Sequence, residues 1–145
     1  MKKDIRSLNI EELQTLMAEL GQPKFRAGQI FAWLQSGVVS YSEMTDIPTA
    51  LREKLAESYY IVTANIKKRL ESSIDDTVKY LYDLNDGEFV ESVLMKYNHG
   101  YSICISTQVG CRMGCSFCAS GLNGLKRNLT PSEMLAQITA AQRDR

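Results

Sequence analysis

The stretch Cys111-Arg112-Met113-Gly114-Cys115-Ser116-Phe117-Cys118 decides how this chain is read. Its C-x-x-x-C-x-x-C spacing brings three soft sulfur donors into one short segment. Gly110 and Gly114 give the backbone freedom to wrap those donors around one inorganic centre. Structural zinc takes four protein ligands, usually as two separated pairs, whereas this is a single tight trio. A cubane [4Fe–4S] cluster has four iron corners, so three local thiolates leave one corner open to a small chelating molecule. Zinc with Cys104 or His99 as a distant fourth ligand, and three cysteines that bind nothing, are the alternatives.

With an aromatic residue, Phe117, just before its last cysteine, the trio resembles the mark of the radical S-adenosylmethionine (SAM) superfamily. The resemblance implies that the amino and carboxylate groups of SAM fill the open iron, with Phe117 as a cofactor-binding residue. The flanking segments Glu91-Ser92-Val93-Leu94, Cys104-Ile105-Ser106-Thr107-Gln108-Val109-Gly110 and Gly124-Leu125-Lys126-Arg127-Asn128-Leu129-Thr130 narrow it further. They resemble the dual-specificity 23S rRNA/tRNA adenine-C2 methyltransferases, with a sibling family that methylates carbon 8 of the same rRNA adenine as the alternative. The resemblance covers the whole chain, which is less than half the length of a typical member.

What the resemblance implies is specific. Cys111, Cys115 and Cys118 hold the [4Fe–4S] cluster, and an electron from a separate donor cleaves SAM to methionine and a deoxyadenosyl radical. One SAM first methylates a cysteine near the C terminus; the radical then activates that methyl group, and the resulting carbon radical adds to the adenine. Glu91 accepts a proton, and Cys104 releases the product by forming a disulfide. The partners are 23S rRNA, with tRNA as the second candidate. The methyl-carrying cysteine and the later strands of a SAM pocket are not among these residues, so the chain is expected to be a fragment that does not turn over alone. A reading from another class is a small metal-binding RNA-interaction module without catalysis.

Composition bounds these readings without choosing between them. A chain of 145 residues with 44% hydrophobic side chains can bury a core. Residues 1–60 hold seven basic and eight acidic side chains, and 61–145 hold ten and nine, so charge alone gives no reason to propose a nucleic-acid partner. No apolar run reaches the length of a membrane span, and the charged start Met1-Lys2-Lys3-Asp4-Ile5-Arg6 lacks the apolar stretch of a signal peptide. A cytoplasmic location is expected, and four cysteines there point to metal or redox chemistry before structural disulfides.

The expected fold class is α+β: a small N-terminal helical domain over 1–60, then antiparallel hairpins and the first β/α unit of a partial (β/α) barrel over 61–145. Asn9 and Glu12 form a capping pattern ahead of Leu13, Leu16, Met17 and Leu20, predicting a helix over 10–20. Pro23 opens a second helix with Ala27, Ile30, Phe31 and Leu34 as its stripe, and Asp46 to Pro48 opens a third carrying Leu51 and Leu55. Strand-like segments follow over 64–71, 77–84, 88–97 and 101–108, with Asn85-Asp86-Gly87 and Asn98-His99-Gly100 as turns. Thr130-Pro131-Ser132-Glu133 starts the last helix, with Leu135 and Ile138 expected to face inward. A complete eight-unit barrel takes about 250 residues and does not fit.

Two residues outside the trio are singled out for chemistry. Alternation puts Glu91 on one strand face with Phe89, Val93 and Met95, where desolvation would favour a neutral carboxyl; a water-exposed glutamate is the alternative. Cys104 falls on the side of Ser102 and Ser106, opposite Ile103 and Ile105, a placement that hints at reactivity. Lys126-Arg127-Asn128 is read as a phosphate or cofactor contact or a solvated pair, and Lys67-Lys68-Arg69 as a solvated strand face. His99 is read as a turn residue with no specific role, and the helix-two aromatics as core.

Overall fold

Asn9 closes the first helix with a reciprocal cap: its Oδ1 accepts from Glu12 N–H (2.8 Å), and Glu12 Oε1 accepts from Asn9 N–H (3.1 Å). In the computed structural model, which describes residues 2–144 and leaves Met1 and Arg145 outside, this cap opens α1 (Ile10–Glu19). Leu13, Leu16 and Met17 are its buried stripe. Helix α2 (Phe25–Ser36) buries Ala27, Ile30 and Leu34, and α3 (Thr49–Ser58) buries Leu51 and Leu55. None of these short helices covers its own stripe, so Ile5, Val38, Met44, Ile47 and Ile61 from the connecting segments complete one shared core. Phe31 and Trp33 pack partly against that core, whereas Phe25 is 60% exposed. A parallel pair of two-residue strands, β1 (Lys3–Asp4) and β2 (Tyr59–Tyr60), joins the two ends of the segment. Strands that short carry no periodicity to read.

The chain separates into two compact units, Met1–Val62 and Thr63–Arg145. The second is built on a four-stranded antiparallel sheet of β3 (Asn65–Glu71), β4 (Val78–Asp83), β5 (Phe89–Tyr97) and β6 (Gly100–Cys104), in that order. Val78, Tyr80 and Tyr82 on β4 and Val90, Ser92 and Leu94 on β5 are buried. Hydrogen bonds from this face reach α4 (Pro131–Asp144): Tyr82 Oη to the Gln137 carbonyl at 3.2 Å, and Tyr80 Oη to Asp144 Oδ2 at 2.6 Å. Burial pushes the Tyr82 hydroxyl up to about 12, so it stays a donor.

Two expectations are corrected here. The segment read as one strand over 101–108 breaks after Cys104 and resumes as β7 (Gln108–Gly110), which pairs antiparallel with a strand not foreseen, β8 (Leu125–Asn128). The strand–loop–helix order around the cysteines therefore carries an extra strand. In α4 the inward face is Ser132, Glu133, Ala136, Gln137 and Ala141, while Leu135 is 49% exposed. Polar partners set this rotation. The fully buried Gln137 amide donates to Ser106 O (2.8 Å) and accepts from Ser106 N–H (3.0 Å), taking the place of a strand neighbour where β6 breaks.

Replacing Gln137 by Leu leaves both Ser106 backbone groups without their partner. The variant is expected to lose about 1–3 kcal/mol of stability, measured by urea unfolding, because each hydrogen bond lost from these part-buried groups is worth roughly 0.5–1.5 kcal/mol.

Candidate functional site

Cross-strand register brings Glu91 and Cys104 to one surface. Glu91 lies opposite Leu81 on β4, and Cys104 on β6 lies opposite Val93 on β5, two residues from Glu91. Because side chains two apart share a face, Glu91, Val93 and Cys104 all stand on the sheet face turned away from α4. Ser106 Oγ donates to the Glu91 carbonyl at 2.6 Å, tying the chain that leaves Cys104 back to β5. Cys104 is exposed, on the side opposite Ile103. The apolar, desolvated setting expected for Glu91 is not found. Its side chain is 50% exposed and ion-pairs with Lys79 Nζ at 2.5 Å, because the residues beside it on this face include Lys79 and Lys68 as well as Leu81 and Leu70.

The cysteine trio occupies the loop between β7 and β8, and the loop is closed by backbone. Gly110 has φ +78°, and a Cβ there would lie 2.0 Å from the Gly124 carbonyl oxygen. That same oxygen accepts from Cys111 N–H at 3.1 Å. Only glycine permits the approach. Within the loop, Met113 N–H donates to Cys111 Sγ at 3.5 Å. Phe117 is 91% exposed. Among the described residues, no three Cys, His, Asp or Glu side chains are gathered at a common metal-holding point. The three thiols share one loop rather than one centre. As a donor set they fit a [4Fe–4S] cluster with one open iron: three thiolates, an amide aimed at sulfur, and an accessible loop.

Arg127 on β8 anchors this loop. Its guanidinium forks onto Glu133 at the start of α4 (Nη1–Oε1 and Nη2–Oε2, each 2.8 Å) and donates from Nε to Asp86 Oδ2 in the β4–β5 turn at 2.9 Å. Beside it, Lys126 Nζ pairs with Glu88 at 3.2 Å. Lys126 and Arg127 are thus paired with carboxylates of the same unit, which differs from both readings of their sequence, a phosphate or cofactor contact and a solvated pair. The Arg127 hydrogen bonds hold the Glu133 carboxyl below the usual carboxylate range. Asp86 is also lowered: burial pushes its carboxyl up, and the Glu88 backbone N–H together with Arg127 outweighs that. In the sequence only the Thr130-x-x-Glu133 cap was visible; the structure confirms it, with Glu133 N–H donating to Thr130 Oγ1 at 3.2 Å. No local pattern connected Glu133 to Arg127 and Asp86.

Sheet, thiol loop and helix together have a counterpart among solved structures. The crystal structure of a radical SAM methyltransferase from Sphaerobacter thermophilus matches with TM-score 0.86 and 40% identity, covering 98% of this chain and 42% of that one. Residues 3–61 match the family model described as ribosomal RNA large subunit methyltransferase N-terminal domain. A probable dual-specificity RNA methyltransferase RlmN of Alkaliphilus oremlandii is 50% identical over 143 residues, 99% of this chain and 42% of the relative. That of Lachnospira eligens is 55% identical over 141 residues, 97% of this chain and 40% of the relative. The chain is similar to these RlmN relatives over nearly its whole length and spans about two fifths of theirs. No helix among the described residues is long and apolar enough to cross a membrane.

Gly110→Ala should open the loop. The variant is expected to take up less than half the iron of the parent on anaerobic reconstitution, whereas Gly87→Ala, at φ +85° with nothing within 4 Å, should leave uptake unchanged. Carboxyls with lowered pKa stabilise the anchor above the ordinary carboxylate range and lose that contribution as pH falls through their folded values. Hydrogen exchange of the 108–110 and 125–128 amides, corrected for intrinsic rate, should therefore accelerate on acidification below about pH 4. Glu133→Gln should show faster exchange at pH 7 and a flatter pH response.

Proposed function

We propose that the full-length protein is a radical SAM methyltransferase that methylates carbon 2 of adenine in 23S rRNA, and in tRNA, through a methyl-cysteine intermediate. The carrying observation is one continuous stretch that presents Glu91 and Cys104 on a single sheet face and then three thiols on a loop closed by Gly110 and Gly124. The relatives are named as dual-specificity RNA methyltransferases, which supports RNA as the substrate class.

Cys111, Cys115 and Cys118 would hold a [4Fe–4S] cluster, with the open iron taking the amino and carboxylate groups of SAM and Phe117 flanking the cofactor from the same loop. Bound there and reduced by a separate electron donor, the cluster and SAM supply the radical reactivity that a poorly nucleophilic ring carbon needs. Met113 N–H, donating to Cys111 Sγ, orients that ligand. Glu91, paired with Lys79, accepts the proton lost from the methylated carbon. Cys104 gives up its thiol proton and attacks the sulfur that links enzyme to base: an S–S bond forms, the S–C bond breaks, and its electron pair takes up a proton on the product carbon to complete the methyl group. The partner sulfur belongs to a cysteine outside these residues, so this chain is necessary for the reaction and not sufficient.

Anaerobic reconstitution of the full-length protein, with iron analysis and nucleoside mass spectrometry of a methylated 23S rRNA fragment and tRNA, tests the reading. About four irons per chain and 2-methyladenosine are expected. Changing Cys111, Cys115 or Cys118 to Ala should abolish iron binding, while Glu91→Gln and Cys104→Ala should keep iron and lose at least about 100-fold in methylation. A single tightly held zinc would overturn the class, and 8-methyladenosine would overturn the site of methylation.

A further inference from the structure

The tip of the β5–β6 hairpin presents two aromatic rings that the chemistry above leaves unused. Tyr97 and His99 stack with centroids 5.4 Å apart and ring planes 13° from parallel. Both are exposed, yet each is held by a neighbour: His99 Nε2 shares a hydrogen bond with Ser102 Oγ at 3.1 Å, and Tyr97 Oη donates to Met95 Sδ at 3.4 Å. Rings merely excluded from a core would account for the exposure but not for a parallel pair with both members fixed.

Register connects this pair to the candidate site. Tyr97 follows Met95, Val93 and Glu91 on one face of β5, with Ser102 and Cys104 opposite Met95 and Val93. Tyr97 stands four residues from Val93, roughly 13 Å along the strand. An RNA strand that delivers a base to Glu91 and Cys104 therefore brings a neighbouring base to the rings.

We infer that the Tyr97–His99 stack is a platform for an unpaired nucleobase that flanks the target adenine in the RNA. The inference rests on the RNA methyltransferase reading and adds a substrate contact to it. Aromatic stacking tolerates any base identity, so the platform selects for an unstacked, single-stranded neighbour rather than for a sequence.

The test uses the full-length protein and a stem-loop RNA carrying 2-aminopurine at one position at a time around the target adenine. Fluorescence quenching on binding needs no turnover. Wild type and Tyr97→Phe are expected to quench one flanking position strongly, Tyr97→Ala and His99→Ala to lose that quench, and the RNA KM of the alanine variants to rise about tenfold. Matching thermal melts would show that the variants fold, as the exposure of both rings implies. Unchanged quenching in both alanine variants, or a Tyr97→Phe loss as large as that of Tyr97→Ala, would overturn the platform. Quenching without any methylation would instead overturn the enzymatic reading and leave the platform standing, and methylation without position-specific quenching would do the reverse.

Discussion

One guanidinium holds the cysteine loop to the rest of its unit. Arg127 reaches the β4–β5 turn through Asp86 and the first turn of α4 through Glu133, so three segments distant in sequence meet at one cation. Fork-on-fork pairing makes these bonds directional, and Glu133 is 8% exposed, so the pair is only lightly screened by water. A long loop with exposed Met113, Phe117 and Leu122 has little burial of its own to order it. Its fixed points are the two ends, where Gly110 crosses Gly124 and where Arg127 is clamped.

The second organising feature is the division of labour between the faces of the sheet. One face is covered by α4 through a polar seam of Tyr80, Tyr82, Ser92 and Gln137. The other carries Lys79, Glu91, Val93, Met95 and Cys104 and is open to solvent among the described residues. Covering one face with specific hydrogen bonds sets which residues the other displays, because a slip of one residue in any strand would exchange the faces. Glu91 and Cys104 share a surface for that reason.

Much of the helical unit was legible in the sequence. The Asn9–Glu12 cap, the stripe of Leu13, Leu16 and Met17, and the Ala27, Ile30 and Leu34 positions follow from local spacing, and the structure reproduces them. The four strands β3 to β6 were legible, with ends misplaced by a few residues, since Ile103 and Ile105 alternate smoothly through a break that only Gln137 reveals. Strand β8 was missed because Leu125-Lys126-Arg127-Asn128 reads as a charged loop, and its charges pair only in three dimensions.

For the site, the sequence by itself determined the donor chemistry: three thiols at a spacing that under-fills a cubane, a glutamate and a cysteine upstream, and a capped helix downstream. Ligand type and spacing are properties of the covalent chain and need no fold. The tertiary structure alone decided that Glu91 and Cys104 share a face, that Glu91 is paired with Lys79 instead of desolvated, and that Arg127 is an internal anchor. Those outcomes depend on strand register, on the rotation of α4 and on which opposite charges come within reach, and each is set by residues tens of positions away.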